Sequence, residues 1–212
     1  MFELDGISVL KHNSIKIKKE KIIYIDPFQI DIPAHDADLI LCTHSHYDHF
    51  SPKDILDVSN ESTVIIATTD CKQELEKMGF IEENIYLVGA YDELVFEEIE
   101  IKAVPAYNKF KEFHPKKNNW VGYLLKMEGN VYYIAGDTDK TKENSKIECD
   151  VAFLPVGGTY TMDYIEAASL TRKIKPKFVI PTHYGSIVGD EECGILFKEL
   201  IDEKETKCEI YI

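Results

Sequence analysis

The apolar run Leu39-Ile40-Leu41-Cys42-Thr43 passes directly into His44-Ser45-His46-Tyr47-Asp48-His49 and then into Ser51-Pro52. A short block of this kind asks for a buried strand. Serine followed by proline opens a helix, with serine as the N-cap and proline at the first helical position. The chain is thereby committed to a strand-to-helix turn that carries three imidazoles and a carboxylate where the strand ends. Such groups are costly to gather in a fold unless something satisfies them. In extended backbone, residues two apart point to the same side, roughly 6.6 Å apart. His44 and His46 can therefore converge on one ion while Ser45 points away. Asp48 and His49 follow on the turn and can present donors to an adjacent second ion. Imidazole and carboxylate donors without cysteine match zinc first, and they leave manganese, iron or nickel open.

Similar blocks recur along the chain. Strands are predicted at Ile7–Leu10, Ile15–Ile17, Lys21–Ile25, Asp38–Thr43, Thr63–Thr68 and Ile85–Val88, and again at Ile99–Pro105, Val121–Met127, Asn130–Ala135, Val151–Val156, Lys177–Thr182 and Lys207–Ile212. Helices are predicted from Ser51-Pro52 to about Val58, over Thr69–Met78 ending at Gly79, over Tyr164–Ile174 ahead of Pro176, and over Glu191–Glu203. With 212 residues, 44% of them apolar, one sizeable core is affordable and two are not, so residues 1–212 are expected to form a single domain of layered helix and sheet. A formal charge of −14 disfavours a nucleic acid partner, whose phosphates need lysine and arginine. The start Met1-Phe2-Glu3-Leu4-Asp5 lacks the basic and apolar pattern of a secretory signal, and no stretch has membrane-spanning length, so a soluble, cytoplasmic protein is expected. The five cysteines are odd in number and widely spaced, which points to buried free thiols. The tyrosine content and the terminal strand leave room for a homo-oligomer.

Leu39–His44 and Phe178–His183 echo one another, each an apolar strand ending in Thr-His. The segment His44-Ser45-His46-Tyr47-Asp48-His49 resembles the His-x-His-x-Asp-His motif of the metallo-β-lactamase superfamily. Ala135-Gly136-Asp137-Thr138-Asp139 and Pro181-Thr182-His183-Tyr184-Gly185 follow in the order that superfamily uses. The phrases Val104–Asn108, Trp120–Tyr123 and Leu154–Met162 look like its small prokaryotic hydrolases, similar to ascorbate-6-phosphate lactonase. The resemblance implies a four-layer αββα sandwich, two mixed sheets with helices on the outer faces. It implies Asp137 as a carboxylate bridging two metals and His183 as the final metal histidine, beside His44, His46, Asp48 and His49. The superfamily usually places another histidine after the mid-chain strand, where this chain has Asn108. His114, six residues on, can take that place if the loop Asn108–Asn119 folds back, at little cost in ordering entropy; Asn108 itself or water are the other occupants.

Two divalent metals in such a site imply a hydroxide nucleophile near neutral pH. Asp48 and His114 are then the catalytic candidates, Asp48 orienting the nucleophile and His114, Tyr107 or Tyr160 returning a proton to the leaving group. Lys109, Lys111, Lys116 and Lys117 give the loop a local positive excess, which suits a small anionic ester, lactone or phosphodiester. The competing functions are a metal-binding scaffold without turnover and a redox di-iron protein of the same fold. Such relatives also carry a flavin-binding partner domain, and against this reading stand His46, where they have an acidic residue, and the chain length.

Overall fold

The computed structural model describes residues 4–212, which divide between Val88 and Gly89 into two compact units. Met1, Phe2 and Glu3, on which part of the signal-sequence expectation rests, lie outside the described residues. In the first unit six strands lie in the order β1 (Ile7–Lys11), β2 (Ser14–Lys18), β3 (Ile22–Ile25), β4 (Leu39–Leu41), β5 (Val64–Thr68) and β6 (Ile85–Val88). The first three pair antiparallel, and β3 through β6 pair parallel. Helices α1 (Pro52–Val58) and α2 (Lys72–Lys77) pack on one face, where Ile55, Val58 and Leu75 meet Tyr24, Ile40, Cys42, Ile65 and Ala67. Ser51 caps α1 as its sequence requires, accepting from the Asp54 N–H, with Pro52 in the first turn.

The second unit repeats this progression in seven strands. β7 (Glu93–Phe96), β8 (Ile99–Pro105), β9 (Val121–Met127) and β10 (Asn130–Ile134) pair antiparallel, after which β11 (Val151–Pro155), β12 (Phe178–Thr182) and β13 (Lys207–Cys208) continue in parallel. Helix α3 (Tyr164–Ile174) starts on the Asp163 side chain and ends with Lys175 in the left-handed region before Pro176. It packs with α4 (Glu192–Glu199) over Tyr133, Ala152, Leu154 and Val179, burying Ala167, Leu170 and Phe197. The two echoed strands, β4 and β12, both have parallel neighbours on each side, and His44 and His183 follow their carboxyl ends.

Some boundaries differ from those predicted. The segment Thr69–Met78 begins as a tight 3-10 turn over Thr69–Cys71, because the Thr68 hydroxyl donates to Asp70 at 2.6 Å and draws the chain in before α2. Helix α4 stops at Glu199 rather than Glu203: the N–H groups of Leu200 and Ile201 bond three residues back instead of four, which closes the last turn. The predicted terminal strand Lys207–Ile212 keeps only Lys207 and Cys208, which pair with Phe178 and Val179. Strand β7 was not anticipated, since Glu-Leu-Val-Phe is a short, half-exposed edge with weak patterning.

Among the described residues all five cysteines are free thiols, and burial pushes Cys71, Cys149 and Cys208 up to about 12. No described helix is long and apolar enough to cross a membrane. Gly122 is the closest approach in the second sheet, where a β-carbon would meet the Ile134 carbonyl oxygen at 2.4 Å and that of Ala135 at 2.5 Å. Gly122→Ala is expected to cost about 1–3 kcal/mol, as overpacking does. Urea denaturation checks this, and an unchanged midpoint would contradict the packing described.

Candidate metal centre

In the first unit the donors hang on one carboxylate. Asp26 follows β3, is fully buried, and stands beside the end of β4. It accepts from Asn13 Nδ2 at 2.8 Å, from the Thr43 N–H and hydroxyl at 2.8 Å each, and from His49 Nδ1 at 2.7 Å. Because the Thr43 hydroxyl gives its proton to Asp26, its oxygen accepts from His44 Nδ1 at 3.0 Å. One carboxylate therefore fixes the tautomer of two histidines, leaving the Nε2 lone pair of each directed away from Asp26. His44 Nε2 lies 3.0 Å from His46 Nδ1, and the His44 and His49 rings stand 4.1 Å apart. His49 Nε2 faces Asp48 Oδ2 at 3.6 Å.

Asp48 has a second neighbour that sequence reasoning missed. His12, which the sequence pattern does not single out, sits buried on the turn between β1 and β2, with Nε2 3.2 Å from Asp48 Oδ2. His12, Asp48 and His49 each offer a donor atom, all within 4.8 Å of one another. His35 remains at the surface and bonds the Ser59 carbonyl at 2.9 Å. Asp26 was missed as well, although its place after an apolar strand is the signal that singled out His44.

In the second unit, Asp137 leaves the loop after β10, and its Oδ2 lies 3.2 Å from His114 Nε2 and 3.1 Å from His183 Nε2. All three side chains are buried. The loop after β8 folds back on itself, the Asn108 N–H donating to the His114 carbonyl at 2.7 Å, so that His114 reaches Asp137 and Asn108 does not. Asp26, His12 and His183 adopt left-handed backbone, with φ of 47°, 55° and 58°.

The donor chemistry within each unit fits a divalent metal. His114 Nδ1 lies 3.1 Å from Asn108 Oδ1 and 3.2 Å from the Tyr160 carbonyl, and both oxygens only accept. The ring's other nitrogen, Nε2, faces the Asp137 carboxylate, as His49 Nε2 faces that of Asp48. Nitrogen lone pairs facing carboxylate oxygens repel unless a shared cation or proton intervenes, and every donor is the nitrogen or oxygen type that zinc and its neighbours accept.

Three of the four loop lysines are engaged locally: Lys109 with Glu166 at 3.2 Å, Lys111 with Asp139 at 3.0 Å, and Lys116 with Glu143 at 2.6 Å. The Lys116 ammonium holds the Glu143 carboxyl at about 2. Tyr107 donates to Glu143 at 2.8 Å, and burial, reinforced by that carboxylate, pushes its phenol up. Tyr160 packs edge-on against Phe113 at 4.6 Å.

Two mixed sheets with helices, and imidazole–carboxylate donor sets at strand ends, define an α/β protein of the metal-binding kind. Residues 6–183 match the model of the beta-lactamase superfamily domain. A UPF0173 metal-dependent hydrolase of Pyrococcus furiosus is 33% identical over 93% of this chain and 92% of its own length. A solved chain from Parabacteroides distasonis, described as a metal-dependent hydrolase, superposes with a TM-score of 0.81 at 32% identity over 96% of this chain and 91% of its own. Igni18, a metallo hydrolase of Ignicoccus hospitalis, shares the fold with a TM-score of 0.77 at 22% identity, covering 96% of this chain and 93% of that one. The chain belongs to the metallo-β-lactamase superfamily, and its fold class is the one expected from the motif.

Asp26→Ala is expected to strand the four donors that converge on that carboxylate. With each buried unsatisfied group costing about 1–3 kcal/mol, the loss should reach about 3 kcal/mol or more. Urea unfolding in the presence of chelator measures it apart from any metal contribution; a loss below about 1 kcal/mol would sink the account of Asp26 as the organiser of this turn.

Proposed function

We propose that the chain is a metal-dependent hydrolase whose two divalent ions, zinc first among the candidates, are held by His44, His46, Asp48 and His49 from the first unit and by His114, Asp137 and His183 from the second. The observation that carries this is the pair of imidazoles set on one Asp137 oxygen at 3.2 and 3.1 Å. Membership of the superfamily supports joining that set to the one organised by Asp26, as does the span of the Pyrococcus relative across both units, which work in this proposal as one catalytic domain.

When bound, divalent ions would supply a nucleophile from water near neutral pH, lowering its pKa from 15.7 to about 7, and would polarise the carbonyl or phosphoryl oxygen under attack. The chain's own residues do the rest. Asp26 and Thr43 hold the His44 and His49 rings in one tautomer, each with Nε2 directed away from Asp26. Asp48, steadied by His12, orients the attacking water through its carboxylate. Tyr107, whose phenol burial pushes up, is the proton donor to the leaving group. The substrate is a small ester, lactone or phosphodiester bearing an anionic group, and the reaction takes place in the cytoplasm.

The test combines metal content with turnover. Chelation should abolish hydrolysis of a panel of lactones, thioesters, phosphodiesters and β-lactams, and added zinc or manganese should restore it. His46→Ala and Asp137→Ala should bind less metal per chain and lose about a hundred-fold or more in kcat/KM. Asp137→Ala retaining the wild-type metal content would refute the two-ion centre. Because Lys109, Lys111 and Lys116 are already paired, the anionic preference needs its own measurement: among esters with one leaving group, the anionic member should show the lower KM. Equal KM values for neutral and anionic esters would remove that part of the proposal.

A further inference from the structure

Asn108 stands where the superfamily resemblance expects a histidine, and its contacts leave its side chain one orientation. Nδ2 donates to Asp139 Oδ1 at 3.0 Å and to the Tyr160 carbonyl at 2.8 Å. Oδ1 accepts the His114 backbone N–H at 3.1 Å. Exchanging the two amide atoms would set oxygen against oxygen and N–H against N–H, so the assignment is fixed by chemistry. The same Oδ1 is the acceptor for His114 Nδ1. Asp139 is anchored in turn, accepting from the Lys109 N–H at 2.8 Å and from the Lys111 ammonium at 3.0 Å.

We propose that Asn108, held by Asp139, is a positioning residue that sets the tautomer and direction of His114, so that an amide at 108 and an imidazole at 114 together do the work of the single histidine expected at 108. The inference rests on the metal-dependent reading above and deepens it, since it names what makes the donor at 114 competent. Asn108 is not itself a ligand: both its polar atoms are committed to protein partners, and Oδ1 already meets two donors. Asp139 and Lys111 act through it, which gives the lysine of this loop a role other than substrate attraction. A metal ligand whose far nitrogen is held by an outer partner typically loses ten- to a hundred-fold in metal affinity when that partner is removed.

The experiment is a double-mutant cycle on the full chain with Co2+ as the probe, reading affinity by chelator competition and coordination by the visible absorption of the bound ion. The four proteins are wild type, His114→Ala, Asn108→Ala and the double variant, and the melting temperature of each chelator-treated protein controls for folding. Asn108→Ala is expected to weaken Co2+ binding about ten- to a hundred-fold and to shift the spectrum in the direction of His114→Ala. The double variant should bind no more weakly than His114→Ala alone. Additive losses would show Asn108 acting independently of His114 and overturn the proposal, as would wild-type affinity in Asn108→Ala. Should Asn108→Ala fail to fold, Asp139→Asn decides: weaker Co2+ binding with the same spectral shift supports the proposal, and unchanged binding overturns it. Loss of Co2+ from His114→Ala with additivity at 108 removes only this inference, whereas a wild type that binds no Co2+ removes the metal reading and this inference with it.

Discussion

A carboxylate that is fully buried must be met on all sides or it unfolds the region that holds it. Asp26 is met by an amide from the β1–β2 turn, by the backbone and hydroxyl that end β4, and by an imidazole from the following turn. Three segments distant in sequence are thereby tied at one point, and the tie has direction. Thr43 can accept from His44 only because it donates to Asp26, so the orientation of the donor set follows from satisfying a single charge. Networks of this kind strengthen when complete and are costly when broken. Stability and candidate function in the first unit therefore draw on the same hydrogen bonds.

The second unit solves a comparable problem without a central carboxylate. Its donor at 114 lies on a loop, and a six-residue closure between Asn108 and His114 costs little chain entropy. What that loop lacks in rigidity is supplied by hydrogen bonds at its mouth, from Asn108 to Asp139 and Tyr160, and by the ion pairs of Lys109, Lys111 and Lys116 with acidic neighbours. The positive charge of Lys109, Lys111 and Lys116 thus also fastens the loop.

Much of the architecture was legible because its causes are local. Ile99–Pro105, Val121–Met127 and Tyr164–Ile174 fall where composition and caps put them. Strand β7 was hidden because four residues bounded by acidic neighbours carry too little pattern, and the last strand was overextended because apolar residues after Cys208 find no paired backbone in β12. The histidines of the 44–49 turn were legible from residue type and position together. His12 and Asp26 were not: a histidine in a hairpin and an Asp-Pro after a strand both read as turn residues until the fold sets them against Asp48 and His49. The relation of Asn108 to His114 was open for a similar reason, since it depends on how a loop closes and not on what it contains.

The left-handed backbone at His12, Asp26 and His183 has a consequence for how such a chain changes over time. Each of these positions would be held more comfortably by glycine, because a side chain there costs about 1–2 kcal/mol in local geometry. Glycine has no imidazole or carboxylate to offer. Drift toward the residue that suits the backbone would raise local comfort while emptying the donor set, so these three positions are where gains in conformational ease and retention of chemistry pull in opposite directions.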